Sequence, residues 1–271
     1  MRARETATRH PIAAFMVICL AINWLVILPP LRRAMDVMPL GLEGGESAGT
    51  LLGVAGAAFL VTTVVDGRVG VRDLASRSVR WRVGFRWYLL ALGGMPIAVL
   101  AAATASYGWE PLRALADGRS DLLTHALPLF LLLILLFNVP EEIGFTGFVQ
   151  ARLQDRHSPL RASVLTALPF ALFHMPVNLV EEGWVFALAF LPIQTAMFVF
   201  VRALIIWFYN GSGSSVLIAG LFHSSFNATV NTYDDYIPGP EGTSVLLGTL
   251  VAILAAVLVL LVTRGRLGKP R

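Results

Sequence analysis

Long apolar runs separated by short polar connections dominate this chain. Eight runs stand out: Ile12–Pro29, Gly49–Val65, Trp87–Ala105, Leu122–Pro140, Ala162–Leu179, Trp184–Val201, Ser214–Thr232 and Ser244–Thr263. Each is near the ~20 residues that an α-helix needs to cross a bilayer core. The pattern predicts an all-α polytopic membrane protein, about eight transmembrane helices in one bundle, with residues 1–271 forming a single membrane domain. No internal repeat is visible. The seventh run is the least apolar, because it holds His223, Asn227, Asn231 and several serines. Polar groups inside a span are costly and mark bundle interiors and function.

The connections carry an orientation signal. Arg2, Arg4 and Arg9 precede the first run, and six arginines between Arg68 and Arg86 follow the second. Arg152, Arg156 and Arg161 follow the fourth, and Arg264, Arg266, Lys269 and Arg271 follow the eighth. These fall on one side. The other side holds only Arg32, Arg33, Arg113 and Arg119, and its later loops are acidic: Glu181, Glu182, Asp234, Asp235 and Glu241. The positive-inside rule then predicts both termini in the cytoplasm of a bacterial-type plasma membrane, which requires an even number of crossings. Trp81, Trp87 and Trp207 fall near one predicted interface and Trp109 and Trp184 near the other, as in an aromatic belt. The basic stretch Gly67–Arg86 is expected along the cytoplasmic headgroups. The basic head and first apolar run also have the shape of a signal peptide, but the run is long for one, which favours a retained span.

Composition sharpens this picture. Of 271 residues, 56% are hydrophobic and 14% charged, with a mean hydropathy of +0.71. A soluble domain carries roughly a quarter charged residues, so an ordinary soluble enzyme is excluded. The net charge of +4 is accounted for by the loops. No basic groove with interleaved aromatics is present, so nucleic acid is not an expected partner. Cys19 is the single cysteine; no intramolecular disulfide can form, and it reads as a packing residue.

Four features do not belong in ordinary spans: the pair Glu141–Glu142, His174, His223, and Asn227 one turn after His223. If the fourth helix runs through Pro140 to Leu153, Glu142 lies ~16 Å above the cytoplasmic end. His174 lies ~20 Å from Arg161, and His223 ~15 Å from Gly213, by the same helical rise. Three segments therefore place ionisable groups at one depth. A glutamate in apolar surroundings suits general acid–base work on water and a leaving amine. His223 and Asn227, at i and i+4, share a helix face and can donate to a developing oxyanion. Phe170, at i−4 from His174, is expected to wall the pocket. Two histidines and a carboxylate are also the ligand set of a hydrolytic zinc site. Ser224 and Ser225 adjoin His223 but do not face it, so a serine nucleophile is not expected.

These residues fall into three motifs in order: EEIGFTG from Glu141 to Gly147, Phe170 with His174, and His223 with Asn227. In these the chain resembles the CPBP family of intramembrane proteases (CAAX proteases and bacteriocin-processing enzymes, also called ABI), and within it the type II CAAX prenyl endopeptidases. The resemblance spans Gly67 to Thr232 and includes a similar basic lead-in, VGVRDLASRSVRWRVGFRWYLLAL. It implies an intramembrane endopeptidase acting on a membrane-associated or CAAX-type protein or peptide. It implies that Glu141 activates water and Glu142 supports it, that His174 orients or binds that water, and that His223 with Asn227 stabilises the tetrahedral intermediate. The family is catalogued as metalloproteases, and a metal-free glutamate mechanism is also argued for it. One divalent ion such as zinc on Glu141, His174 and His223, or none, is equally compatible with the sequence.

One position departs from the family pattern. The motif's arginine is Thr146 here, leaving Glu142 either protonated or paired with Arg202 from the sixth run. An arginine at 146 would sit at i+4 from Glu142 and pair with it, so Thr146→Arg is expected to raise proteolysis. Two other readings remain: a non-catalytic family member used in binding, immunity or scaffolding, and an ion- or proton-coupled carrier. The expected site opens to the cytoplasm.

Overall fold

The computed structural model describes residues 2–27, 49–118, 124 and 127–269. Pro29, Leu122, Arg32, Arg33, Arg119 and Arg271, used in the sequence reading, lie outside the described residues. Every regular element among the described residues is helical: α1 (Arg2–Arg9), α2 (Pro11–Ile27), α3 (Gly49–Ser78), α4 (Phe85–Tyr107), α5 (Glu110–Asp117), α6 (Leu127–Gln154), α7 (Pro159–Gly211), α8 (Val216–Thr232) and α9 (Thr243–Thr263).

Five of them, α3, α4, α6, α7 and α9, are long and apolar enough to cross a membrane, and α2 is a shorter apolar helix. The all-α polytopic expectation stands; the figure of eight crossings does not follow from helix length alone. Two predicted runs merge in α7, whose 53 residues break at Gly183, where φ is 84° and ψ is 173°. Only glycine enters that region cheaply. The two limbs run back along each other: Asn178 donates to Gln194 at 3.1 Å, and the Phe170 and Phe198 rings lie 4.8 Å apart. In α3 a second break at Gly67, with φ 65°, turns the basic stretch. Its following limb is anchored by buried Leu74 and by Arg77, which donates to the Gly147 carbonyl and the Tyr209 hydroxyl at 2.9 and 2.8 Å.

The arginine-rich connections all meet at one end of the bundle, here the basic end. The opposite, acidic end carries Glu110, Asp117, Glu181, Glu182, Asp234, Asp235 and Glu241 against Arg113 among the described residues. Outward-facing Leu250, Leu254, Leu258 and Leu261 on α9 are 48–72% exposed. So apolar a stripe suits lipid and not water.

Two apolar cores sit side by side. Phe15, Phe145, Phe148, Phe170 and Phe173 build one from α2, α3, α6 and the first limb of α7. Trp87, Leu204, Phe208 and Phe222 build the other from α4, α7, α8 and α9. Ile143 packs against both, so the glutamate pair beside it lies on the seam between them.

Candidate active site

Helix α6 carries the glutamates through a distorted stretch. Pro140 has no N–H, and its ring crowds the preceding turn. The backbone widens around it into π-helical turns over Leu133–Asn138 and Ile143–Gln150, and Val139 donates to the carbonyl of Ile134 instead of a residue four back. Such widened turns recur at functional sites. The helix nevertheless continues to Gln154, so Glu141 and Glu142 are buried inside the bundle, 5% and 0% exposed, and not at a helix end.

Neighbouring helices close on this stretch at small residues. A Cβ on Gly220 would lie 3.0 Å from the Val139 Cα. That contact sets α8 directly on α6 and carries His223, one turn on, to Glu142. Its Nδ1 donates to Glu142 Oε1 at 2.9 Å and stands 3.8 Å from Glu141 Oε2. On α7, His174 Nδ1 donates to the Phe170 carbonyl at 2.8 Å, and its ring packs edge-on to Phe170, with centroids 4.5 Å apart. In both histidines Nδ1 is spent, and Nε2 is the nitrogen left for chemistry. Pro176 deprives the Leu172 carbonyl of its helical donor; Trp24 Nε1 from α2 supplies one at 3.3 Å. Asn23 beside it donates to the Phe173 carbonyl at 2.6 Å.

A cavity of about 410 Å³ is lined by Glu141, His174 and Asn227. Asn23, Asn138 and Asn231 also line it, with Leu129, Leu133 and Phe137 as apolar wall. Three of the residues expected from the motifs are thus brought to one space. Phe170 and Thr146, expected as pocket walls, are not among its lining. Both sit about one turn towards the basic end, where the cores are filled. Asn138 was missed by the sequence reading, because a lone asparagine ahead of VPEE carries no motif.

The comparisons with known proteins fall on this same segment. Residues 123–229 match the model of the family described as type II CAAX prenyl endopeptidase Rce1-like. That stretch contains Glu141, Glu142, His174, His223 and Asn227. The chain is also similar to CAAX prenyl protease 2 of Methanococcus maripaludis, with 23% identity over 173 residues. The match covers 61% of this chain and spans 62% of the relative's length. Over this segment the chain is similar to the CPBP, or CAAX protease, family.

Where the CAAX protease motif has its arginine, the structure substitutes another. Arg202, 0% exposed, reaches from α7 to both Glu142 oxygens at 2.9 Å. Its second amino group donates to Thr146 Oγ1 at 2.6 Å, and the Thr146 hydroxyl donates to Glu142 Oε2. The guanidinium also lies over the Phe170 ring, 5.2 Å from its centre. Of the two states the sequence left open for Glu142, the paired one is observed. A buried charge persists only when paired and hydrogen-bonded, and Glu142 accepts from a guanidinium, a hydroxyl and an imidazole. Arg202 therefore occupies the place in which an arginine at 146 was expected to raise activity.

The residues do not fit a preformed metal site. Among the described residues no three His, Cys, Asp or Glu side chains are gathered as a metal-holding group, and both Glu142 oxygens are occupied by donors. Glu141, His174 and His223 would have to be drawn together to hold a zinc ion.

Proposed function

We propose that this chain is an intramembrane endopeptidase in which Glu141 activates the attacking water. Glu141 takes a proton as the water oxygen bonds to the scissile carbonyl carbon. The carbonyl π electrons move onto oxygen, and the Asn227 carboxamide is the donor for that oxyanion, joined by the His223 Nε2–H in the imidazolium form, because the Nδ1–H is given to Glu142. Collapse breaks the C–N bond, and the proton on Glu141 passes to the leaving amine. His174 holds the water through Nε2, since Nδ1 is committed to Phe170. Glu142, locked by Arg202 and Thr146, does not touch the water. It fixes the ring of His223.

One observation carries this reading: Glu141, His174 and Asn227 line a single cavity at the seam of the two cores. The relative's name supports a membrane-associated protein or peptide as substrate, a prenylated C-terminus among the possibilities.

The test is cleavage of a panel of membrane-anchored peptides by purified protein in detergent, with metal content measured on the same sample. Glu141→Gln is expected to lower the rate by about 10²–10⁴-fold, the contribution of general-base catalysis, while the melting temperature stays near wild type. A Glu141→Gln protein that cleaves at the wild-type rate overturns the assignment of the base. Wild-type biological activity retained by Glu141→Gln would instead favour a binding role.

A further inference from the structure

The cavity has a direction. From Glu141 its α6 wall runs back through Asn138, Phe137 and Leu133 to Leu129, towards the start of that helix. The other walls agree: Asn227 and Asn231 lie towards the end of α8, Val177 follows His174 on α7, and Asn23 and Ile27 end α2. All of these helix portions point to the acidic end. Among the lining residues towards that end, Leu132 is 40% exposed and Asn231 is exposed, while Asn23, Ile27, Thr50 and Asn138 are 1–2% exposed.

Towards the basic end the space is filled. Phe145, Phe148 and Thr146 are 0% exposed, as is Gln150. Gln150 is tied to Thr166 and to the Pro159 carbonyl. A second cavity of about 570 Å³ at that end, lined by Arg77, Gln154, Tyr209 and Lys269 among others, shares no lining residue with the first. The expectation of a site opening to the cytoplasm, the side assigned to the basic loops, thus meets a cavity that runs the other way.

Its lining suits an extended peptide. Asn138 lines the cavity, and its side-chain oxygen is buried with no hydrogen-bond partner among the described residues. Unsatisfied buried acceptors are costly, and a strand's backbone N–H would satisfy this one. The described charges in the loops at that end of the bundle are mostly acidic.

We propose that the substrate enters from the acidic end, as a membrane-anchored or exported peptide. Its scissile bond, flanked by basic residues, is then presented on the membrane face opposite the chain's own termini. This deepens the proteolytic reading and rests on it.

Two measurements separate the two claims. In intact cells, Asn231→Cys and Arg266→Cys proteins are treated with a membrane-impermeant maleimide before and after permeabilisation; wild type, with its buried Cys19, sets the background. Labelling of the two sites from opposite faces is expected, with Asn231→Cys reacting before permeabilisation. Labelling of both from the same face overturns the entry side, whatever the enzyme does. The second measurement co-expresses single-span reporters carrying a basic cleavage segment on one face or the other, with wild type or Glu141→Gln. Cleavage confined to the outward segment, and lost in Glu141→Gln, supports the proposal. Cleavage confined to the inward segment overturns it. Cleavage of neither counts against the peptidase reading, and the labelling result still decides the side.

Discussion

At the scale of single residues, the most informative exchange is between positions 146 and 202. A threonine cannot neutralise Glu142, but its small side chain leaves room for a guanidinium arriving from another helix. The three-way contact of Glu142, Thr146 and Arg202 is sealed from solvent. Removing Arg202 leaves a buried carboxylate without its cation, which costs about 3–5 kcal/mol. Arg202→Leu is therefore expected to lower the melting temperature in detergent markedly. Thr146→Arg alone places two guanidiniums in one sealed space and should lower both stability and cleavage, against the sequence-based expectation of a gain. The double exchange, Thr146→Arg with Arg202→Thr, should recover a large part of each. A double variant no better than the worse single one would mean that Glu142 is organised by groups other than this arginine. Read from the sequence, Arg202 could be offered only as one of two ways to settle Glu142. The choice depended on where the second limb of α7 lies, which no local spacing encodes.

At the scale of elements, the helices are where local pattern and tertiary structure agree best, and their ends are where they part. Apolar runs of spanning length became helices because backbone groups in lipid have no other partner. Several boundaries moved: α3 continued past Val65 to Ser78, and α7 fused two runs across Gly183. The start of α9 shows how such an end is held. Asp234 accepts from the backbone N–H groups of Ser244 and Gly242, at 2.9 and 2.8 Å, the orphan donors of a helix N-terminus. Those bonds to Ser244 and Gly242 hold its carboxyl below the ordinary value of 3.8. A depressed carboxyl stabilises the fold at pH above that ordinary value, and the contribution is lost as pH falls through the lower folded-state value. Amide-exchange protection at Gly242 and Ser244 should thus be constant from pH 7 to 5 and decline on further acidification. Asp234→Asn should remove that dependence. Protection that ignores acid in wild type would show the end of α9 is held by something else.

At the scale of the whole molecule, two cores packed side by side leave a seam, and the distorted stretch of α6 runs along it. A basic end and an acidic end follow from the loop charges. By the positive-inside rule both termini are expected in the cytoplasm, and reporter fusions at either terminus should report that side; a C-terminal reporter active only outside would reverse the orientation. The sequence by itself determined the solvent, the class of fold and the residues of the three motifs. Hydropathy and unusual polar residues are local properties, and the cost of burying charge in lipid makes them conspicuous. Only the tertiary structure decided which helix neutralises Glu142, that Asn138 joins the cavity, and towards which end that cavity runs. Each depends on the packing of helices distant in sequence, where a glycine such as Gly220 or a proline such as Pro176 sets an approach or opens a turn. A linear pattern records that such residues are present, not which neighbour they let in.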